Sequence, residues 1–243
     1  MLNGIDISHY QPTTPSLAGR AFVIVKASNG DDKDSRYDYH VANIRRAGLV
    51  VGAYHFGVGA AQASIRSQVA AFVAAAKGAD ILALDFERNV RVRRTVDGVV
   101  VWVQLPSITR AEAREFIRLL RPRASGRKIL LYSSRGTWPG DLGQDANWVA
   151  DYTGDPNRPG VSPRIKWTFW QHTSTPYDLN RFNGTKAQLR AFAGLPAPVP
   201  ASTLARLRGY IAKLAAVVKP TADQRTKLAE YRARLKAYLK RGA

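Results

Sequence analysis

Ile81-Leu82-Ala83-Leu84-Asp85-Phe86-Glu87 is the stretch from which the rest of the chain is read. Four apolar residues followed by Asp-x-Glu predict a short buried strand ending on two carboxylates. Side chains alternate across a strand with a period of two, so Asp85 and Glu87 point the same way. Like charges held that close cannot both ionise easily, and one pKa is driven up. A protonated acid beside an ionised carboxylate is the equipment for cleaving a glycosidic bond. The same pattern also suits a pair of metal ligands or a salt-bridged strand end.

Upstream, Gly4-Ile5-Asp6-Ile7-Ser8 reads as a strand ending on polar residues, and Pro12 and Pro15 mark a loop. Ala21 to Lys26 is an apolar run, the pattern of a strand buried on both faces. Asn29-Gly30-Asp31-Asp32 is turn chemistry. Tyr37 to Ala47 predicts a helix stopped by Gly48, Leu49 to Phe56 a strand, and Gln62 to Lys77 a helix ended by Gly78.

Downstream, Asp97-Gly98 between β-rich runs predicts a hairpin over 88–105, its first arm made basic by Arg88, Arg91, Arg93 and Arg94. Such a hairpin either contacts anionic or extended substrate beside the cleft or is a plain solvated surface element. Thr109-x-x-Glu112 is a capping box opening a helix to Arg121. Ile129 to Ser134, Asn147 to Tyr152 and Lys166 to Gln171 read as strands, the last two joined by a Pro/Gly-rich loop, and Ala187 to Ala193 as a short helix.

Strands alternating with helices predict βαβ units, a mostly parallel sheet and, with strands buried on both faces, a barrel. Chemistry in such barrels sits at the C-terminal strand ends. Asp6, Lys26, Tyr54, Asp85 and Glu87 all fall at or near such ends.

Composition narrows the classes. The 243 residues, 45% hydrophobic, suffice for one large domain and an appendage. With no cysteine, disulfide frameworks, Cys-zinc sites and thiol catalysis are excluded. The 4 histidines lack metal-ligand spacing and read as structural. No apolar run approaches the ~20 residues that span a bilayer. The opening residues have neither a basic segment nor an apolar h-region, so no signal peptide is visible. A net charge of +19 points to an anionic partner: nucleic acid, an acidic membrane face or a bacterial cell wall.

The C-terminal region differs in character. Gly194-Leu195-Pro196-Ala197-Pro198-Val199-Pro200 is a stiff linker. Leu204, Leu207, Ile211, Leu214 and Val218 then line one helix face, and Pro220 ends it. Thr221-x-x-Gln224 caps a second helix with Leu228, Tyr231, Leu235 and Tyr238 in register. Residues 201–243 hold 11 Lys+Arg against 2 acids. This helical hairpin is expected to target the wall, to dimerise or to dock on the barrel.

Seven segments in order resemble glycoside hydrolase family 25, the lysozymes (N-acetylmuramidases) of phages, actinobacteria and fungi. They are Gly4 to Gln11, Phe22 to Ser28, Ala47 to Phe56, Leu84 to Glu87, Trp148 to Tyr152, Phe169 to Ser174 and Asp178 to Gly184. The resemblance implies an irregular TIM-like α/β barrel of about eight strands and five helices over residues 1–193, with an acidic cleft at the strand C-termini. It implies hydrolysis of the β-1,4 bond between N-acetylmuramic acid and N-acetylglucosamine without a cofactor. Glu87 is then the general acid/base, with Asp6, Asp85 and Asp178 the other acidic members. Tyr54, Tyr132 and Trp148 would line sugar subsites, with Gln171 hydrogen-bonding there and Lys26 serving as a ligand contact or an ion-pair partner. Asp85 is either the nucleophile or the group that orients the substrate's own acetamido oxygen. The family often carries Glu where this chain has Asn29, and the 88–105 hairpin looks like an insertion.

The partner expected is peptidoglycan in an anionic cell wall, not nucleic acid. A phage lysin held in the host cytoplasm until a holin releases it fits, and so does a host autolysin. A non-catalytic wall-binding barrel and a nucleic-acid-binding protein are the alternatives from other classes.

Overall fold

The computed structural model describes residues 1–88, 91–96, 98–104, 107–153, 165–175, 177–197, 201–217 and 220–242. In chain order the elements are β1 (Leu2–Ile7), β2 (Phe22–Asn29), β3 (Asp32–Lys33), α1 (Tyr37–Arg46), β4 (Val50–Phe56), α2 (Ile65–Ala75) and β5 (Ile81–Asp85). There follow β6 (Arg91–Val96), β7 (Val99–Gln104), α3 (Arg110–Leu120), β8 (Lys128–Ser134), β9 (Ala146–Ala150), β10 (Phe169–Thr173), β11 (Asp178–Phe182), α4 (Lys186–Phe192), α5 (Ala201–Ala215) and α6 (Ala222–Gly242). Residues 1–194 and 195–243 form two compact units.

Eight strands close the barrel in the order β1-β11-β10-β9-β8-β5-β4-β2, with β2 returning to pair with β1. All pairings in this ring are parallel except those of β11, which runs antiparallel to β10 and β1. The strand pattern places one set of residues inside. Phe22, Ile24 and Lys26 alternate with Val23, Val25 and Ala27 along β2. The second set joins Ile5, Leu82, Leu84 and Leu131 in a core with Ile44, Val69, Phe72 and Phe116 of the helices. The first set faces the barrel axis and changes character along it. Ile81, Ala83 and Asp85 follow one another up β5, as Leu130 and Tyr132 do up β8 and Phe169 and Gln171 up β10. The interior is therefore apolar at one end and polar at the C-terminal strand ends. At the apolar end Phe22 and Phe182 pack on Phe169 with ring centroids 5.1 Å apart, and Phe192 of α4 reaches Phe169 at 5.8 Å. Gly4 is required there, because a Cβ would stand 2.4 Å from the Phe22 ring.

Local chemistry sets the boundaries. α2 begins at Ile65 rather than Gln62, because Ser64 caps it by accepting from the Ser67 N–H while Gln62 N–H turns back to Gly59. Thr109 and Glu112 form the capping box of α3. β6 and β7 pair antiparallel as the expected hairpin. Val90, Asp97 and Leu105 of that expectation lie outside the described residues, as do the side chains of residues 91–96. So does most of the Pro/Gly-rich loop, 154–164. Among the described residues the barrel unit carries four α-helices, where the resemblance implies about five. β11 is a strand that the apolar pattern does not show.

The second unit is a pair of helices, α5 and α6. Leu204, Leu207, Ile211 and Leu214 are its less exposed positions on α5, as Leu228, Tyr231, Leu235 and Tyr238 are on α6. Tyr210 and Tyr231 stack across the pair at 5.7 Å. Val218 lies outside the described residues. No described helix is long and apolar enough to cross a membrane.

Candidate active site

Two strand ends and one strand start bring the acidic residues to the polar mouth. Asp6 near the end of β1 stands opposite Asp178, the first residue of β11. Asp85 ends β5, paired with Phe56 on one side and Tyr132 on the other. Glu87 lies two residues beyond and is half-buried on the wall of an open cavity of about 390 Å³.

The carboxyls are not equivalent. Asp6 is 6% exposed, and its Oδ2 accepts hydrogen bonds from Gln171 Nε2 at 2.8 Å and Asn180 Nδ2 at 2.6 Å. Those bonds favour the ionised form. Burial and the Asp178 charge outweigh them, and its pKa is pushed up to about 8. Asp85 is equally sealed, and its Oδ1 has no hydrogen-bond partner. Burial first, then Glu87, holds its carboxyl well above the usual range. Burial also raises Glu87, opposed by Lys26 and assisted by Asp178. Asp178 is raised by burial. The sequence suggests a protonated Glu87 beside an ionised Asp85. Asp85 is the more deeply buried of the two and keeps the proton more firmly.

Lys26 is the counter-charge. Burial lowers its pKa, while Asp85, Asp34 and Glu87 hold it up, and its ammonium lies 5.0 Å from the Phe56 ring centre.

The polar residues beneath form a brace. Gln171 Oε1 accepts from Tyr132 at 2.9 Å and from Tyr152 at 2.6 Å, so the side chain that holds Asp6 is itself fixed by two phenols. Trp148 is 1% exposed, packs on Tyr132 at 4.5 Å and edge-on to Tyr54 at 6.1 Å, and donates to Asn180 Oδ1 at 2.7 Å. Its indole supports the site from inside and presents no face to a sugar. Tyr132 reaches the cavity wall, as does Tyr152, which is 53% exposed. Tyr54 is half-buried beside the acids, and burial raises its phenol.

Asn180 and Tyr152 are site residues that reading by residue type passes over. Asn180 stands two positions from Asp178, and the period-two rule already applied to Asp85 and Glu87 puts it on the same face. Among the described residues no group of three or more His, Asp or Glu is placed to hold a metal ion. His55 instead bridges Ser28 and Gln68 in the helix-facing core, where burial lowers its pKa to about 4.

The family model described as glycosyl hydrolases family 25 matches residues 5–180. Lysozyme M1 of Streptomyces globisporus is 29% identical over 222 residues, 79% of this chain and 71% of that protein. The catalytic domain of endolysin ply40 from bacteriophage P40 of Listeria monocytogenes superposes with a TM-score of 0.63 at 26% identity, covering 80% of this chain and 98% of that one. The muramidase of Acremonium alcalophilum shares the fold, with a TM-score of 0.56 at 24% identity over 79% of this chain and 99% of that one. The match spans every acidic residue of the site, and this chain belongs to glycosyl hydrolases family 25 as a glycoside hydrolase of the lysozyme, or muramidase, kind.

Proposed function

We propose that this protein cleaves the β-1,4 bond between N-acetylmuramic acid and N-acetylglucosamine in peptidoglycan, with net retention at the anomeric carbon. One observation carries the reading: Glu87 lies on the wall of an open cavity, and its charge and that of buried Asp6 both act on the buried carboxyl of Asp85.

In the mechanism, Asp85 and Glu87 share a proton. When the substrate acetamido N–H donates to Asp85, the ionised form of Asp85 is favoured and the proton resides on Glu87. Glu87 protonates the bridging oxygen. The acetamido oxygen attacks the anomeric carbon as the bond breaks. Water, deprotonated by Glu87, then opens the resulting ring with retention. Asp178, more exposed than Asp6, is the ionised member of that pair and faces the positive charge developing on the sugar. Burial of Asp85 supports orientation over direct attack; a covalent glycosyl adduct trapped on Asp85 would reverse that choice.

Digestion of purified peptidoglycan, followed by mass analysis, is expected to release fragments ending in reducing muramic acid. Fragments ending only in reducing N-acetylglucosamine, or intact polymer, would overturn the reading.

The helix pair is assigned to wall binding. Arg206, Arg234 and Tyr210, Tyr231 and Tyr238 line a hollow of about 270 Å³, cationic and aromatic surface suited to an anionic glycopolymer. A lysin acting on a phage host's wall after release by a holin is the setting we infer, supported by the likeness to a phage endolysin domain.

A further inference from the structure

The lining of the cavity beside Glu87 carries two arginines as well as acids. It includes Arg88, Ser134, Arg135, Thr137 and Tyr152. Arg135 opens the short turn that follows β8, and its side chain is 45% exposed. Its Nη1 lies 3.6 Å from Oδ2 of Asp151, whose side chain is 2% exposed. Asp151 is held in turn. Its Oδ1 accepts from the Thr153 N–H at 3.0 Å and the Thr153 hydroxyl at 2.6 Å, and its carbonyl accepts from Trp170 Nε1 at 2.9 Å. The turn itself is pinned by Thr137 Oγ1, within 2.9 Å of Ser133 Oγ and 2.8 Å of Ser134 Oγ. A buried carboxylate, fixed through its Oδ1, thus lies within ion-pair range of a half-exposed guanidinium at the cavity. The strongest charges on Glu87 are Lys26 and Asp178, so this arginine is not placed for proton transfer.

We propose that Arg135, braced by Asp151, is a specificity-determining residue that binds a carboxylate on the muramyl substituent of the substrate. This rests on the muramidase reading above. Guanidinium and carboxylate match as planar, two-pronged partners. That attraction sets the register of the alternating sugars, with the acid-bearing sugar on the Arg135 side of Glu87. In a bare glycan strand the carboxylate is the lactyl group. In an intact strand that group is amide-linked, and the carboxylate belongs to the stem peptide.

The test uses the full chain and four substrates: bare and stem-bearing glycan strands, each native and with its carboxylates amidated. The wild type is expected to prefer the native form of at least one strand by about tenfold in kcat/KM, expressed in KM, as one charge-assisted contact gives. The strand that shows the preference identifies the source. Arg135→Gln should abolish the native-to-amidated ratio, and Arg135→Lys should restore part of it. A wild-type ratio near one on both strands overturns the inference whether or not the Gln variant folds, and so does a folded Arg135→Gln protein that keeps the preference. Release of reducing-end muramic acid from amidated strands leaves the muramidase reading standing in either case.

Discussion

In the barrel, Asp6 and Asp85 are each 6% exposed, and burial is the largest cause of their raised pKa values. In the helix pair, Arg206, Arg208, Lys213, Arg225, Arg232, Arg234 and Lys236 all lie at the surface. The two sets of side chains are of opposite type, acidic and basic, but the more instructive difference is depth. Charge sealed from water alters proton affinity at one point and is screened little by salt. Charge on exposed helices acts across a Debye length of about 10 Å at 0.1 M salt. Catalytic turnover on a short soluble glycan should therefore be insensitive to ionic strength, and wall binding should not.

The harshest challenge to this contrast is Glu87→Gln. It should lower kcat by roughly 10²–10⁴ while leaving the circular dichroism spectrum unchanged. Full activity in that variant would remove the buried site from the chemistry. Truncation after Gly194 probes the other region. Binding to cell walls at low salt should weaken by about tenfold or more, and its salt dependence should vanish. Unaltered binding and salt response in a wall-pelleting assay would end the targeting role of the helices.

Asp6→Asn sharpens the contrast through pH. The folded state holds the Asp6 proton between the ordinary pKa of 3.8 and about 8, whereas the unfolded chain releases it. Stability from this group is full below 3.8 and is lost as pH rises through about 8. The Asn variant should flatten the decline of Tm over that window and gain a few degrees at pH 8, at about 2–4 °C per kcal/mol for a chain of this size. An unchanged pH profile would place the titration elsewhere. The smallest effect is expected from deleting the β6–β7 hairpin. KM for long glycan strands should rise about two- to fivefold with short-substrate kinetics unchanged. Equal loss on all substrates would make the hairpin structural.

Most of the barrel was legible because its strands are buried on both faces and its helices carry local caps. Asp85 and Glu87 were legible because a period of two is a strict rule for a strand. β11 was not. In Asp178-Leu179-Asn180-Arg181-Phe182 the buried positions are Asn180 and Phe182, so the inward face pairs an amide with an aromatic ring and apolar alternation fails. The interior depth of Trp148 was hidden for a related reason: an aromatic at a strand end looks the same whether it meets sugar or Asn180. Protonation was the least legible feature. It depends on how far Asp85 sits below Glu87, which no spacing encodes.

The antiparallel closure of β1 onto β11 joins the first strand of the barrel to its last, Asp6 facing Asp178 across the seam. A chain still on the ribosome can display Asp85 and Glu87 while β1 is paired with β2 alone and Asp6 has neither Gln171 nor Asn180 to hold it. Parallel strands formed early cannot substitute for that missing seam. Activity should thus arise in one late step, after Phe182 has emerged, and a cell interrupted in making this enzyme would accumulate only inert fragments.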